Sequence, residues 1–200
     1  MIESITAKEN KKIKLISSLS AKKGRIKNNA YLVEGKRMVL EAFEYVRDAI
    51  MFIIISENFS SENKDLVTSL DESGISVYTV SDKLFKESVD TMNPQGIAAA
   101  VSIKNLSVKK SELNDINKIL ILDGISEPGN LGTIIRTAEA AGIELIYLLK
   151  GCADIYNPKV VRSTMGSIFR TEFVFADNAE ILNDVKKHGF KIICSCLENS

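Results

Sequence analysis

Hydrophobic positions along the chain switch repeatedly between the spacing typical of helices and that typical of strands. Residues 4–21 carry apolar side chains at helical spacing among lysines, which predicts an amphipathic helix that ends near Gly24. Its inward residues are Ile5, Ile13, Ile16 and Leu19. The next apolar runs predict strands at 30–35, 49–55, 75–80 and 96–103, with helices at 36–46, at 62–73 and from Ser81-Asp82. Strands that alternate with helices indicate a mixed or parallel α/β layer.

A polar segment, NLSVKKSELNDIN at 105–117, interrupts this series. It loses strand periodicity, so we expect a linker there between one domain at 1–104 and another at 118–200. The second series predicts strands at 118–123, 144–149, 171–176 and 190–197, with helices from Asn130, from Asn157-Pro158 and from Asp177 to about His188. Its strands are continuous apolar runs, which are typical of a sheet buried on both faces.

Composition narrows the class of protein. The chain has 200 residues, 45% of them hydrophobic, which is enough for a globular core. The longest apolar run, AIMFIII at 49–55, is far shorter than the roughly 20 residues of a membrane span, and the N-terminus has no apolar signal core. Three cysteines without a CxxC pair and a single histidine suggest neither disulfides nor a metal site. We therefore expect a cytoplasmic protein with no membrane segment and no metal.

Charge is distributed unevenly although the net charge of the chain is zero. Residues 1–40 hold ten Lys or Arg against three Glu, a net charge of +7. Clustered cations gain affinity for nucleic acids by releasing condensed counterions, so this basic arm is a candidate phosphate-facing surface. A solvated basic helix is the alternative. The cations are Lys8, Lys11, Lys12, Lys14, Lys22, Lys23, Arg25, Lys27, Lys36 and Arg37.

The stretch LDGISEPGNLGTIIRTAEAAG at 122–142 combines a turn with a helix that carries one arginine, Arg136. We expect Asn130 to cap the helix and Arg136 to point away from its packed face. Gly132, one turn earlier, would leave open space beside the guanidinium for a backbone or a ligand. The loop follows a predicted strand, and open α/β sheets bind ligands at the carboxyl ends of strands. The alternative is a surface pair between Arg136 and Glu139.

A second dense stretch, NPKVVRSTMGSIFR at 157–170, contains Arg162, Arg170 and the hydroxyls of Ser163-Thr164 close to Gly166. Its backbone N–H groups could hold an anion or a nucleotide, or it could be a helix with a glycine break and surface arginines. Neither stretch matches the GxGxxG or GxxxxGK[ST] fingerprints, which argues against a dehydrogenase or a kinase.

Taken together, these segments resemble the SpoU (TrmH-like) family of RNA ribose 2′-O-methyltransferases within the SPOUT superfamily. Asn130, Gly132 and Arg136 match the family's first motif, N-x-G-x-x-x-R, and 157–170 resembles its second. YLVEGKRMVLEAF and NPQGIAAAV in the first half are similar to the family's small substrate-binding domain, which is like certain ribosomal proteins. The likeness covers nearly the whole chain, and the paired motifs are more specific than either motif alone.

The chain departs from the family pattern at two places. Thr164 stands where the second motif usually has serine, which preserves a hydroxyl. The third motif, a glycine- and glutamate-bearing loop followed by an S-L-N-V-like segment, has no counterpart in these residues. In the family that segment forms a deep trefoil knot and most of the S-adenosylmethionine pocket. We therefore expect a C-terminally truncated SPOUT-type α/β domain that keeps only the first cofactor loop, around Ser195, Cys196 and Leu197.

The resemblance implies transfer of a methyl group from S-adenosylmethionine to a ribose 2′-hydroxyl, on ribosomal rather than transfer RNA, by a homodimer. Arg136 would stabilise the developing alkoxide, because a guanidinium is a poor proton acceptor, and Asn130 would shape the active site. Lys36, Arg37, Arg162 and Thr164 would contact RNA. The alternatives are a non-catalytic RNA-binding or dimerisation module, because the third motif is missing, and a small-molecule α/β enzyme unrelated to RNA.

Overall fold

The computed structural model describes residues 2–103, 113, 116–176 and 181–195. Its first half is built on five strands and six α-helices within these ranges. The strands are β1 (Glu3–Ile5), β2 (Ala30–Glu34), β3 (Ile50–Ser56), β4 (Val77–Val80) and β5 (Ile97–Ser102). The helices are α1 (Lys11–Ser18), α2 (Lys22–Asn28), α3 (Lys36–Tyr45), α4 (Glu57–Glu62), α5 (Lys64–Glu72) and α6 (Asp82–Ser88).

The five strands form one sheet in the order β1-β4-β3-β5-β2. Strands β1, β4 and β3 are parallel to one another, whereas β5 runs antiparallel to both β3 and β2. The sequence prediction of a mixed α/β layer is therefore confirmed. Alternate residues of the strands face opposite sides, so that α1 and α6 pack on one face and α3 and α5 pack on the other.

The prediction of one helix over 4–21 is wrong. Ile5 lies in β1 and pairs with Val80 of β4, and α1 starts only after Asn10, whose side chain accepts a hydrogen bond from the Lys12 amide. Gly24 does not end a helix but lies inside α2, where an added Cβ would come within 1.9 Å of the Ser18 carbonyl oxygen. The predicted inward residues are all buried, so the pattern indicated burial correctly and the type of element incorrectly.

The second half contains a parallel sheet in the order β6-β7-β8, formed by Ile119–Leu122, Leu145–Leu149 and Glu172–Ala176. Helices α7 (Pro128–Ala140), α8 (Pro158–Ser163) and α9 (Ile181–Lys187) connect or follow these strands. β7 is buried along its whole length, as expected of a sheet covered on both faces, whereas β6 has one buried residue of four and β8 one of five. The prediction of burial on both faces is therefore correct for β7 alone. Of the predicted linker at 105–117, the structure describes Leu113, which is buried, and residues 116 and 117. The boundary between two domains stays a prediction.

The predicted strand at 190–197 is not formed in its described part. Residues 190–195 have neither helix nor strand, and Ile193 is 85% exposed. A strand needs a neighbour for its N–H and C=O groups, and the described ladders of this sheet join only β6, β7 and β8. Residues 196 and 197 lie outside the described ranges. No helix in these ranges is long and apolar enough to cross a bilayer.

One hydrophobic core joins the two halves. Leu131 and Ile135 of α7 and Val160 of α8 belong to the same buried cluster as Val33 of β2 and Val39 of α3. All five side chains are completely buried. Helices α7 and α8 therefore use the α3 face of the first sheet as part of their own core, which fixes the position of both predicted motifs against the first half.

A buried ion pair adds to this contact. Arg25 of α2 is only 3% exposed; its Nη2 lies 2.7 Å from Asp154 Oδ2 in the loop after β7, and its Nη1 donates to the carbonyls of Leu19 and Ser20. The prediction that Arg25 belongs to a phosphate-facing surface is therefore wrong. Its guanidinium satisfies backbone and carboxylate acceptors between the two halves instead.

Replacing Arg25 by methionine is expected to destabilise the protein by about 2–3 kcal/mol, because it leaves a partly buried carboxylate and two carbonyls without a donor. Lys8→Met is the control, since the ion pair of Lys8 with Glu87 is exposed. It should leave the stability unchanged. Urea denaturation of both variants measures the effect, and equal midpoints would show that the Arg25 pair does not support the contact between the halves.

Candidate functional site

The N-terminus of α7 is capped by a glutamate. Glu127 Oε2 accepts a hydrogen bond from the Asn130 amide at 2.6 Å, and Oε1 lies 2.8 Å from Lys159 Nζ on α8. The hydrogen bond from Lys159, followed by those from the backbone amides of Asn130 and Gly129, lowers the pKa of Glu127 to about 2. The prediction that Asn130 caps the helix is wrong, because the helix begins earlier, at Pro128. Asn130 is instead an exposed residue in the first turn.

Arg136 is exposed on α7 and makes no hydrogen bond or ion pair with any residue that the structure describes. The alternative of a surface pair with Glu139 is not formed. Glu139 binds two residues of the second motif instead, at 3.0 Å from Arg170 Nε and 3.3 Å from Ser167 Oγ. No described residue occupies the N–H donors of the Arg136 guanidinium. They are therefore available to an anionic ligand.

The space beside Gly132 is filled by α8. A Cβ added to Gly132 would lie 2.4 Å from Ser163 Cβ and 2.9 Å from the Val160 carbonyl oxygen. The prediction of open space at Gly132 for a ligand is therefore wrong, although the expected close approach of a backbone is present. Because α8 lies directly against this glycine, the first and second motifs form one rigid pair of helices.

The turn after α8 is closed by its own backbone. Met165 has a φ of +52° and Gly166 a φ of +100°, and the amides of Met165 and Ser167 donate to the carbonyls of Arg162 and Thr164. Those amides are therefore not free to hold an anion, as one reading of the sequence predicted. A Cβ on Gly166 would lie 2.8 Å from Glu41 Oε2, so glycine allows this turn to sit against α3.

Thr164 is completely buried, and its hydroxyl donates to the Val161 carbonyl at 2.7 Å. The prediction that Thr164 contacts RNA is wrong for this conformation, because the side chain has no exposed surface. Its hydroxyl instead holds the end of α8 in place.

Arg170 connects three elements rather than lying free on the surface. Its guanidinium pairs with Glu139 of α7 and with Glu41 of α3 and stacks over the Tyr45 ring at 4.9 Å. Burial lowers the pKa of Arg170, but the hydrogen bonds and charges of Glu139 and Glu41 together outweigh that effect, so its pKa is raised. The second motif is therefore fastened to α3 and to α7 at once.

A charged cluster that the sequence analysis missed lies where α8 meets β2. Glu34, the last residue of β2, has a side chain only 4% exposed and accepts a hydrogen bond from Thr91 Oγ1 at 2.7 Å. Arg162 Nη1 lies 3.9 Å from Glu34 Oε2 and is buried without a hydrogen-bond partner among the described residues. Burial raises the pKa of Glu34, and the Thr91 hydroxyl and Arg162 oppose that effect in part. The signal for this cluster in the sequence was a glutamate at the end of an otherwise apolar strand.

The ten cations of the basic arm do not share one surface. Lys12 stacks over Tyr78 at 4.4 Å on the face of the first sheet that α1 covers, whereas Lys36 and Arg37 start α3 on the opposite face. Lys36 is exposed and its Nζ donates to Asn63 Oδ1 at 2.6 Å. Arg37 is exposed and has no partner within the described part of the chain.

The predicted cofactor loop is described only at Ser195, since Cys196 and Leu197 lie outside the described residues. Ser195 is exposed in a segment without helix or strand, which offers no enclosed surface for an adenosine group. No cluster of three or more His, Cys, Asp or Glu side chains in the described ranges could hold a metal ion.

Comparisons with known proteins agree with the two halves of the fold. A sequence model described as the SpoU rRNA Methylase family matches residues 117–200, and one described as the MRM3-like substrate binding domain matches residues 10–99. The 23S rRNA (guanosine(2553)-2′-O)-methyltransferase RlmP of Bacillus subtilis is 33% identical over 198 residues, which cover 99% of this chain and 75% of that protein. The mitochondrial rRNA methyltransferase 3 of Homo sapiens is 32% identical over 75% of this chain and 36% of its own length.

Solved structures give the same result. An rRNA methyltransferase from Sinorhizobium meliloti matches 100% of this chain and 74% of its own with a TM-score of 0.79 and 25% identity. An AdoMet-bound rRNA methyltransferase from the same organism matches 94% of this chain and 69% of its own with a TM-score of 0.75 and 26% identity.

The contact at Gly132 generates a prediction opposite to helix propensity. Alanine is normally about 1 kcal/mol better than glycine inside a helix. Gly132→Ala is nevertheless expected to destabilise the protein by about 1–3 kcal/mol, because its Cβ must push α8 away. Thr133→Ala, at the exposed neighbouring position, is the control and should change stability by less than about 0.5 kcal/mol. A stabilised Gly132→Ala variant in urea denaturation would contradict the close packing of the two helices.

The raised pKa of Glu34 predicts a pH-dependent effect of Glu34→Gln. Folding disfavours the charged carboxylate, so the parent protein loses stability as the pH rises through this raised pKa. Glutamine stays neutral throughout. The melting temperature of the variant minus that of the parent should therefore be more positive at pH 7 than at pH 4, as measured by thermal denaturation. If the difference in melting temperature is the same at pH 4 and pH 7, burial does not disfavour the charged form of Glu34.

Proposed function

The chain belongs to the SpoU rRNA methylase family, and we propose from this premise that Arg136 activates a ribose 2′-hydroxyl of ribosomal RNA for methyl transfer. The family relationship supports an S-adenosylmethionine-dependent RNA 2′-O-methyltransferase, as the sequence resemblance implied. It does not favour the alternative of a non-catalytic RNA-binding module. S-adenosylmethionine supplies the methyl group when it is bound.

The proposal is supported by the guanidinium of Arg136, which has no partner among the described residues, on a helix whose one other charged side chain, Glu139, is paired with Arg170. Negative charge develops on the ribose 2′-oxygen as its proton departs to water. The charge is neutralised as the oxygen bonds to the methyl carbon and the bond from that carbon to the cofactor's sulfur breaks. Donors already aimed at that oxygen stabilise the charge without reorganising. A guanidinium stays protonated in proteins, so Arg136 acts as a donor and not as the proton acceptor.

Rigid packing supports this role for Arg136. The residue lies one turn beyond the contact between Gly132 and α8, and Glu139, one turn further, is fastened to Arg170. The backbone of α7 on both sides of Arg136 is thereby held against neighbouring elements, which limits the positions that the guanidinium can take. Asn130, exposed near the start of α7, is proposed to contact the RNA or shape its approach.

RNA binding is proposed for Lys36, Arg37 and Arg162. Arg37 is exposed and without a described partner, and Lys36 precedes it at the start of α3. Phosphate contacts from such residues orient an RNA without reading its sequence. Arg162 lines the same cavity as Arg37, and its Nη1 is a buried donor without a partner among the described residues.

Ribosomal RNA is the proposed substrate because the relatives from Bacillus subtilis and Homo sapiens are both named as rRNA methyltransferases. We also propose that the protein works in the cytoplasm as a homodimer, as the resemblance implies. Large exposed apolar side chains, such as Phe175 on β8 and Ile26 on α2, provide surface on which a second copy could pack.

Arg136→Ala is expected to lower the rate of methyl transfer to ribosomal RNA by about 10²–10³-fold, the usual effect of removing a donor to a developing oxyanion. Arg136→Lys should recover only part of the rate, since an ammonium does not reproduce the planar fork of donors. Incorporation of tritiated methyl groups into RNA measures both. Lys64→Ala, an exposed lysine at the start of α5, is the matched control and should keep the parent's rate.

Circular dichroism of each variant separates a catalytic defect from a folding defect. A folded Arg136→Ala protein that methylates RNA as fast as the parent would overturn the assignment of Arg136. The chain would still belong to the family, and Arg162 would be the next candidate for this role.

A further inference from the structure

A cavity of about 300 Å³ lies where α8 meets β2 and the first turn of α3. It is lined by residues from three segments that lie apart in the sequence: 31–43, 93–101 and the second motif. Small-ligand sites occupy roughly 300–1,000 Å³, so the cavity is large enough for one planar ring system. The side chains that line it include Glu34, Arg37, Met38, Thr91, Arg162 and Met165.

The cavity holds a paired acceptor and donor whose hydrogen-bonding capacity is not used up. Thr91 donates to Glu34 Oε2, and no described residue donates to the other carboxylate oxygen. Arg162 Nη1 is 3.9 Å from Glu34 Oε2, which is beyond hydrogen-bond distance, and it is buried without a partner in the described part of the chain. A buried donor left without an acceptor is costly, so a ligand that supplies one gains free energy.

We propose that this cavity binds the Watson–Crick edge of an unstacked guanine base. The Glu34 carboxylate would accept from the guanine N1–H and N2–H₂ groups, and Arg162 would donate to O6. On guanine the O6 acceptor is immediately next to the two donors, which requires an acceptor and a donor side by side in the protein. Glu34 and Arg162 have that arrangement.

The other bases fit this pair less completely. Adenine and cytosine present one amino donor beside a ring acceptor, so the second carboxylate oxygen would face another acceptor. Uracil presents one donor between two carbonyl oxygens, one of which would oppose the carboxylate. Guanine alone offers two adjacent donors to the two oxygens of a carboxylate.

Methionine side chains provide the apolar walls. Met38 of α3 and Met165 after α8 both line the cavity. Thioether groups are polarizable and make favourable contacts with aromatic rings, so they suit the faces of a base. Sequence-specific recognition of RNA commonly uses such unstacked bases, read along their Watson–Crick edges.

The inference rests on the proposed function in one respect, because it takes the guanine to be part of an RNA. The same chemistry would also accept a free guanine nucleotide. Binding in this cavity requires neither a cofactor nor methyl transfer, so it can be tested separately from catalysis.

The chain has five methionines, and their methyl groups labelled with ¹³C give an NMR spectrum simple enough to assign. Titration with 5′-GMP should shift the Met38 and Met165 signals saturably, whereas Met51, on the exposed side of β3, should not move. 5′-AMP, 5′-CMP and 5′-UMP should need about tenfold higher concentrations or more, the usual discrimination from a bidentate base contact.

Glu34→Gln is expected to weaken GMP binding by about tenfold or more, while Glu72→Gln, at an exposed position that ends α5, should leave it unchanged. The Met51 signal shows whether each variant is folded. If Glu34→Gln does not fold, Thr91→Val replaces it, because it removes the hydroxyl that holds the carboxylate.

Two hairpin RNAs that differ only in one unpaired loop nucleotide, guanosine or adenosine, distinguish the two sources of guanine. Tighter binding of the guanosine hairpin than of GMP would assign the cavity to RNA, and tighter binding of GMP would assign it to a free nucleotide. The proposal is overturned if GMP and AMP shift Met38 and Met165 equally, if no probe shifts them, or if folded Glu34→Gln binds GMP like the parent. Guanine binding by a protein that fails to methylate RNA would overturn the proposed function and leave the cavity's assignment intact.

Discussion

The close approach of α7 and α8 at Gly132 is the constraint on which the rest of the site depends. It exists only because Gly132 has no Cβ: any larger residue would overlap Ser163 and the Val160 carbonyl. Once α8 is seated there, Val160 enters the core shared with β2 and α3, and Arg162 reaches Glu34. The first motif, the second motif and the substrate-binding half are thus positioned by one packing contact.

Acidic residues then determine which cations of the site remain free. Glu127 holds Lys159, and Glu139 together with Glu41 holds Arg170. These pairs fasten the helices to one another and remove two cations from competition for an anionic ligand. Arg136 and Arg37 have no such partner among the described residues, so the unpaired cations of the site lie on α7 and at the start of α3.

Periodicity predicted most of the fold because β2, β3, β4, β5 and β7 bury nearly every residue and the helices bury one stripe. It failed at 4–21, where β1 is only three residues long and gains its stability from pairing with β4, a contact 75 residues away in sequence. The motif residues Asn130, Gly132 and Arg136 were found, yet the space at Gly132 and the burial of Thr164 depend on where α8 packs. Glu34 was missed because its importance comes from Thr91 and Arg162, which only the folded chain brings together.

The most direct test of methyl transfer is mass spectrometry of nucleosides from ribosomal RNA that has been incubated with the protein and S-adenosylmethionine. A ribose 2′-O-methyltransferase should give one nucleoside that gains a methyl group on its ribose, and the methylated RNA should resist alkaline cleavage at the phosphodiester bond that follows this nucleotide. A methyl group on a base instead, or RNA that is bound but carries no new methyl group, would contradict the assignment of a ribose 2′-O-methyltransferase.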